Sequence, residues 1–480
     1  MTWRYIPIPF LFSLAMCAPV QGSTPRDAVA PQDSARAAPA GTERSPSVTK
    51  DSSAPRPVLV APGRSASAAV SAQPFTPELE KLWRSRLTSR IKREPWKTTQ
   101  RYEAAALLMV PLHAAFERGY TPGQQEFADH VSRFLAYRDS VGLEADAQLS
   151  WLQYFYLLSR FNVLAAAHGD SAMVSPDLAP LLYGWVRELW LKGPAWQWYR
   201  KPFPGGVRER LDWKLSGKPG VKRKSFERAI LDQELMLFAI AADLRTYGRL
   251  VGSPLAKDSV LLEIRRYARR VYDDRVVWNA DSGWTFQPGI WRDHPDHLYE
   301  CREEKRPGLE PCTTVAGAED ASHGHRIPLL LRSLSEGEPA GTTRAYYERL
   351  RWGLERQFFN RIAVPPSGDF AGWRIRNYMD GRNGVYRWGY ASLGKDQGFG
   401  PYELSGILVS GWWAFLPGER TATLFRDLAA QFPLTEQLAA VYSGPVQRKP
   451  GSPPGIMRDG TAELLARLAA DLSRGPARGP

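Results

Sequence analysis

Cysteine is scarce in this chain, with three in 480 residues. Cys17 sits in the apolar N-terminus, which leaves Cys301 and Cys312 as an even pair. In an oxidising compartment such a pair reads as one disulfide. Closing so short a loop contributes about 3 kcal/mol at most by chain entropy. Long apolar runs are also missing. Nothing beyond the N-terminus approaches the roughly 20 uninterrupted apolar residues of a membrane helix, so no transmembrane segment is expected. A Gly-rich phosphate loop, a nucleophile elbow and a Cys-His nucleophile arrangement are absent, which argues against ATP use and against serine or cysteine acyl transfer. So is a His-Glu-x-x-His or His-x-x-x-His helix, the zinc signature of many hydrolases. No zinc finger or RNP motif accompanies the basic charge, so nucleic acid is not the expected partner. No repeat of fixed period supports an open solenoid.

What is present begins with charge. The formal net charge is +13 and the pI about 9.6. That balance favours acidic partners, among them an acidic polysaccharide or oligosaccharide. The densest basic cluster is Lys214, Lys218, Lys222, Arg223 and Lys224. At the N-terminus, Arg4 precedes an apolar run from Ile6 to Met16, followed by small residues and a cleavage site near Gly22. Residues 1–22 therefore read as a signal peptide, which predicts a periplasmic or secreted protein. Leu14-Ala15-Met16-Cys17 resembles a lipoprotein box, but Met16 stands where Gly, Ala or Ser is usual, which argues against a lipid anchor on Cys17. Residues 23–74 are rich in Ala, Pro, Ser and Arg and nearly free of aromatics, so they cannot bury enough apolar surface to order themselves and read as a disordered tether.

From Phe75 onward Trp and Tyr become frequent and the apolar spacing turns helical. Helices are expected over 77–93, 101–118, 121–138, 145–167, 177–191, 226–250, 258–272, 322–334, 342–359, 401–415, 419–431 and 460–473. Thr121 is the expected cap of the third, with Pro122 at its first position. No alternation of strands is evident. The fold class is mainly α, and residues 75–480 form one helical region. A core of about 400 residues is large for a single layer, and a ring of helical hairpins would solve that, since each hairpin packs on its neighbours.

Two stretches break the helical spacing. The first, 276–321, leads into Glu319-Asp320-Ala321-Ser322-His323-Gly324-His325-Arg326. Four of the seven histidines fall between Gly283 and Arg326, and histidine is the side chain that most readily exchanges protons near neutral pH. Asp320 or Ser322 is placed to cap the following helix, which puts His323 in its first turn. The second stretch, 363–399, holds Trp373, Arg374, Arg376, Asn377, Tyr378, Asp380, Tyr386, Trp388 and Tyr390. Aromatic rings stack on pyranose C–H faces, and interleaved Arg and Asn suit hydroxyls and carboxylates. A packed loop filling the core is the alternative. Trp196, Trp198 and Tyr199 with Arg200 and Lys201 read as a hairpin loop docked on the helices.

The acidic pair followed by Ser322-His323 at the start of an apolar helix, with the approach Gly283-Trp284-Thr285-Phe286, resembles a pattern in α/α-toroid proteins that act on polysaccharides. These are the polysaccharide lyases and the glucuronyl C5-epimerase-like proteins. The resemblance covers under a tenth of the chain. It implies an incomplete α/α barrel of helical hairpins with a central groove lined by loops at one end. A lyase or epimerase needs a carboxylate neutraliser, a base and an acid. Arg326, Arg374, Arg376 or Asn377 are the expected neutralisers, His323 the base, and Tyr378 or Tyr386 the acid. Trp284, Trp291, Trp373, Asp380 and Trp388 complete the expected substrate-binding set. Hydrolysis would instead use two carboxylates, with Glu319, Asp320, Asp293, Asp296 and Asp380 as candidates. A non-catalytic glycan-binding protein would keep the aromatics and not depend on His323. No cofactor is required, although Asp293, His294, His297 and His325 offer ligand types for a divalent metal.

Overall fold

The computed structural model describes residues 75–98, 100–141, 148–169, 173–196, 202–203, 205–216, 224–312, 314–390, 396–444 and 455–474. The expected signal peptide, Cys17 and the tether lie outside these residues. So do Trp198, Tyr199, Arg200, Lys201, Lys218, Lys222 and Arg223. Among the described residues the protein is mainly helical, with 64% helix and 5% strand.

The helices are α1 (Pro77–Arg86), α2 (Thr88–Ile91), α3 (Arg101–Glu117), α4 (Thr121–Tyr137), α5 (Gln148–His168), α6 (Leu178–Leu191), α7 (Val207–Leu215) and α8 (Asp232–Val251). They continue with α9 (Ser259–Arg275), α10 (Ala321–Gly324), α11 (Ile327–Glu336), α12 (Thr342–Gln357), α13 (Glu419–Ala430), α14 (Glu436–Ser443), α15 (Gly455–Arg458) and α16 (Thr461–Ser473). Three antiparallel two-residue or three-residue ribbons punctuate them: Ala195–Trp196 with Pro202–Phe203, Val276–Trp278 with Trp284–Phe286, and Ala363–Val364 with Arg374–Ile375.

Local chemistry explains most boundaries. Thr76 caps α1, Asp258 caps α9 and Thr435 caps α14 through side-chain oxygens, as helix starts favour. Thr121 does not cap α4 but forms its first residue, with Tyr120 in the cap position. The helix expected over 77–93 breaks at Leu87 into α1 and α2, because the Leu87 side chain turns into the core. The stretch 401–415 forms the 3-10 turns Ser405–Ser410 and Trp412–Phe415 rather than an α-helix, and Gly411, in the left-handed region, separates them. Helix α14 was not expected, although Thr435-Glu436 is an ordinary start signal.

Packing is pairwise along the chain. Helix α3 packs on α5, α5 on α8 and α8 on α11. The turn Trp412–Phe415 contacts both α11 and α16, and α16 returns to α3. A second set lies against these: α4 on α3, α6 on α5 and α8, α9 on α8, α12 on α11, and α13 on α16. Within the first set, α5 is buried continuously from Ser150 to Ala165 and α8 from Glu234 to Gly248. Helix α9, in the second set, buries only one stripe: Leu261, Ile264, Ala268, Val271 and Tyr272. Helices enclosed on all sides lose amphipathic spacing, while those with a solvent face keep it.

The basic residues are largely tied down. Lys214 is buried, and its Nζ donates to Glu234 Oε1 at 2.6 Å. On α9, Arg265 pairs with Glu338 and Arg269 with Asp273, while Arg270 pairs with Asp212. Cys301 and Cys312 are joined by a disulfide. Beside it, the Glu300 side chain is fully buried, with Arg382 at 3.5 Å. Burial lifts the Glu300 carboxyl from 4.5 to about 8, only partly offset by Arg382. An unfolded Glu ionises at the lower value, so the unfolded chain gains relative stability as pH rises through that window. The Glu300→Gln variant should escape this loss. It is expected to match the parent near pH 4.5 and to exceed it by ~1–3 kcal/mol at pH 8, the shift being discounted for Arg382. Thermal unfolding of both proteins at the two pH values checks this.

Candidate functional site

Glu319, Asp320 and Ala321 form a short extended segment beside Asn377, Tyr378 and Met379. Ala321 N–H donates to the Asn377 carbonyl at 2.8 Å, and Met379 N–H to the Glu319 carbonyl at 2.9 Å. This contact brings the two irregular stretches together and delivers the chain into α10. Asp320 then caps α10: its Oδ1 accepts from Ser322 N–H at 3.0 Å and His323 N–H at 3.2 Å, and from the Ser322 hydroxyl. Its Oδ2 contacts His323 Nδ1 at 2.6 Å. Burial pushes the Asp320 carboxyl up, but His323, Arg387 and His297 outweigh it and hold it well below the usual carboxylate range. An ionised Asp320 can only accept, so Nδ1 of His323 carries a hydrogen, which leaves Nε2 as the ring nitrogen that can take up or give a proton. The Asp320 side chain is 2% exposed and that of His323 19%, so the ring, not the carboxylate, meets the solvent.

His323 opens onto a cavity of about 80 Å³. Glu319, Asp320, Trp291, His294, Asp296, His297, Tyr386 and Arg387 line it from the two irregular stretches. Tyr102, Leu149, Leu231, Asp232 and Gln233 line it from the N-terminal ends of α3, α5 and α8. Glu319 is 7% exposed. Burial, together with the Asp232 and Asp320 carboxylates, raises its carboxyl well above the usual range, with Arg326 as a partial counterweight. These surroundings favour the protonated carboxyl, which can donate a hydrogen bond. Burial also raises the Tyr386 phenol, and the hydrogen-bonded Asp320 carboxylate adds to this against Arg387. Arg387 Nε donates to Asp296 Oδ2 at 3.0 Å, and its backbone is held at φ 54°, a conformation that costs a non-glycine residue about 1 kcal/mol or more. His297 stacks on Trp291 with ring centres 5.3 Å apart. Burial lowers His297 well below its ordinary value and His294 to about 4.

The other residues singled out from the sequence stand elsewhere. Tyr378 is buried behind the cavity and donates to the Val385 carbonyl at 2.8 Å. Asn377 Nδ2 donates to the carbonyls of Gly384 and Gly400 at 2.9 and 2.8 Å. Gly384 approaches the Glu300 backbone so closely that no side chain fits there. Arg374 lies over the rings of Phe370 and Tyr402, and Arg376 donates to the Arg361 carbonyl. Trp373 donates to Asp427, and Asp380 pairs with Arg382. Trp388 is half-buried, outside the cavity lining. Trp284 is a core residue whose Nε1 donates to the Leu350 carbonyl at 2.7 Å. Arg326 is buried behind Glu319 and pairs with Asp232 and the Tyr102 hydroxyl.

Of the metal-ligand candidates, Asp293 accepts from Ser225 and caps the 3-10 turn Ser225–Arg228. His325 packs edge-on against Trp412. Only His294 and His297 reach the cavity. Among the described residues no group of three or more His, Cys, Asp or Glu side chains is arranged to hold a metal ion.

The sequence reading missed Tyr102, Asp232 and Gln233. Asp232 looks like an ordinary acidic residue in a helix first turn, where the dipole favours it. The one available signal was the run Asp232-Gln233-Glu234 just ahead of an apolar helix. Comparison with known proteins finds no matching family model, no matching curated protein and no matching solved structure.

Proposed function

We propose that the chain is an exported carbohydrate-active enzyme that cleaves an acidic, uronate-containing polysaccharide by β-elimination. The observation that carries this reading is the Asp320–His323 pair opening onto one cavity together with Glu319 and Tyr386. In this scheme His323 Nε2 takes the proton at C5 of the uronate, and Asp320 holds the ring in the required tautomer. Protonated Glu319 donates a hydrogen bond to the uronate carboxylate and stabilises the charge that develops next to C5. That role was expected of Arg326, Arg374, Arg376 or Asn377. The Tyr386 hydroxyl, kept protonated by burial, delivers the proton to the departing oxygen. Trp291 and Tyr102 offer ring faces to the sugar. Epimerisation would use the same groups, with C5 reprotonated from the other side.

An α/α-toroid build is consistent with the packing circuit from α3 through α5, α8, α11 and Trp412–Phe415 to α16 and back. The cavity lies where three of those helices begin, as a groove at one end of a ring would. Export is supported by the Cys301–Cys312 bond.

A specific observation favours a second reading. Protonated Glu319 beside the Asp232 and Asp320 carboxylates resembles the acid of an inverting glycoside hydrolase. Glu319→Gln separates the two. Gln still donates a hydrogen bond but cannot give up a proton. Under β-elimination, Glu319→Gln should keep activity within about tenfold while Glu319→Ala loses ~10²–10³-fold. Under hydrolysis both variants should be equally inactive. The readouts are absorbance of the unsaturated uronate product and release of reducing ends, measured on a panel of uronic-acid polymers.

A further inference from the structure

Most basic side chains of this protein are tied to acids, but the outer stripe of α12 is an exception. The helix packs on α11 and buries Tyr347, Leu350, Gly353, Leu354 and Gln357 on its inner face. Ala345, Arg349, Trp352 and Arg356 stand exposed on the other side. Their spacings of three and four residues place them on one face. The two acids of α12 turn to other partners, Glu348 to Arg351 and Glu355 to Arg420. Among the described residues no carboxylate pairs with Arg349 or Arg356. An exposed acid, Glu419, follows Gly418 at the edge of this face, and the two arginines keep the balance basic against it.

Two indole rings belong to the stripe. Trp352 is 44% exposed, yet it is seated, since a Cβ on Gly418 would come within 3.1 Å of its ring. Trp278 lies half-buried against α12, with the Arg349 guanidinium 4.5 Å from its ring centre. Gly353 makes that approach possible, because a Cβ there would meet the Trp278 indole at 2.6 Å. From Arg349 to Arg356 the stripe runs about 10 Å, a length that two linked pyranoses span. A held, exposed ring between unpaired guanidinium groups matches both the C–H face of a sugar and the carboxylate of a uronate. None of these residues lines the cavity at His323.

We infer that the outer stripe of α12 is a surface binding site for an acidic polysaccharide chain, with Trp352 stacked on a sugar ring and Arg349 and Arg356 on uronate carboxylates. This rests on the acidic-glycan reading of the protein. The full chain carrying His323→Ala, so that polymer is not consumed, is titrated calorimetrically with polygalacturonate, with alginate and with neutral dextran. Saturable binding of an acidic polymer and none of dextran is expected. Trp352→Ala, which leaves the charge unchanged, should weaken it about 5–10-fold. Trp352→Leu keeps an apolar contact on Gly418 and should act alike. Arg349→Gln and Arg356→Gln should each weaken it about 2–5-fold. Arg187→Gln removes an exposed charge from α6, which packs on α5 and α8, and should change nothing. Binding that survives both Trp352 substitutions, or that falls as far with Arg187→Gln as with Arg356→Gln, is ion exchange by net charge and overturns the inference. So does equal binding of dextran, or no saturable binding of either acidic polymer. Unsaturated product is measured separately on the parent. Stripe-dependent binding without product removes β-elimination and leaves the surface standing; product with stripe-independent binding does the reverse.

Discussion

His323→Ala is expected to reduce β-elimination by about 10³–10⁴-fold, the range associated with loss of a positioned general base together with its orientation, while the fold is retained. The fold should survive because the side chain is partly exposed on α10 and contacts Asp320 through one ring nitrogen. Asp320 keeps its capping bonds to the Ser322 and His323 backbone amides when the ring is gone. Circular dichroism and the thermal midpoint should therefore match the parent. Asp320→Asn provides the companion test. An Asn side chain can still accept from the backbone amides, but it no longer carries the charge that selects the Nδ1–H tautomer. Its rate should fall as well, by about 10–10²-fold, with a larger loss of stability than His323→Ala. A His323→Ala protein that still generates the unsaturated product at the parental rate would remove His323 from the mechanism.

Much of the architecture was legible because it is local. A short polar side chain ahead of an apolar run can satisfy the first free amides of a helix, so the sequence narrowed the cap to Asp320 or Ser322, and the structure places it on Asp320. The helix expected over 258–272 is α9, with Asp258 standing one position earlier as its cap. The capping logic failed at Thr121, where Tyr120 holds the cap position and Pro122 follows one residue into the helix. The cavity was legible only on one side. Glu319, Asp320 and His323 were read correctly as neighbours because they adjoin in sequence. The stretch around 373–390 was expected to face the same groove, and only Tyr386 and Arg387 do. Its other polar residues serve backbone groups instead: Asn377 holds Gly384 and Gly400, and Tyr378 holds Val385. Spacing cannot distinguish an Asn that meets a ligand from one that meets a carbonyl, since both need the same donors. Asp232 and Tyr102 were out of reach for another reason. They line the cavity themselves, but what gathers them there is Arg326, which pairs with both and is 94 residues from Asp232 in sequence.

A different part of the same helices should dominate stability. Asp243→Ala is expected to destabilise the protein by about 3–5 kcal/mol, the cost of removing one partner from a buried ion pair. Asp243 is fully buried on α8, accepting from Arg160 at 2.8 Å and from the Ser159 hydroxyl at 2.7 Å. Burial raises its carboxyl pKa, against the opposing pull of Arg160. Without it, Arg160 keeps only Glu336 as a carboxylate partner within the core, and Ser159 Oγ is left with the Tyr156 carbonyl alone. The penalty is therefore mainly that of a poorly compensated buried charge, not of a lost contact. That distinction is testable. The double variant Arg160→Met/Asp243→Leu removes the charge as well as its partner, and should recover most of the loss, because apolar replacement of a buried pair is often neutral. Urea unfolding of the parent, the single variant and the double variant gives the three energies. If the double variant is as unstable as the single one, packing rather than electrostatics holds α5 against α8 at this level. Activity at the His323 cavity, about 16 Å away along α8, should be unchanged below the unfolding transition in either variant.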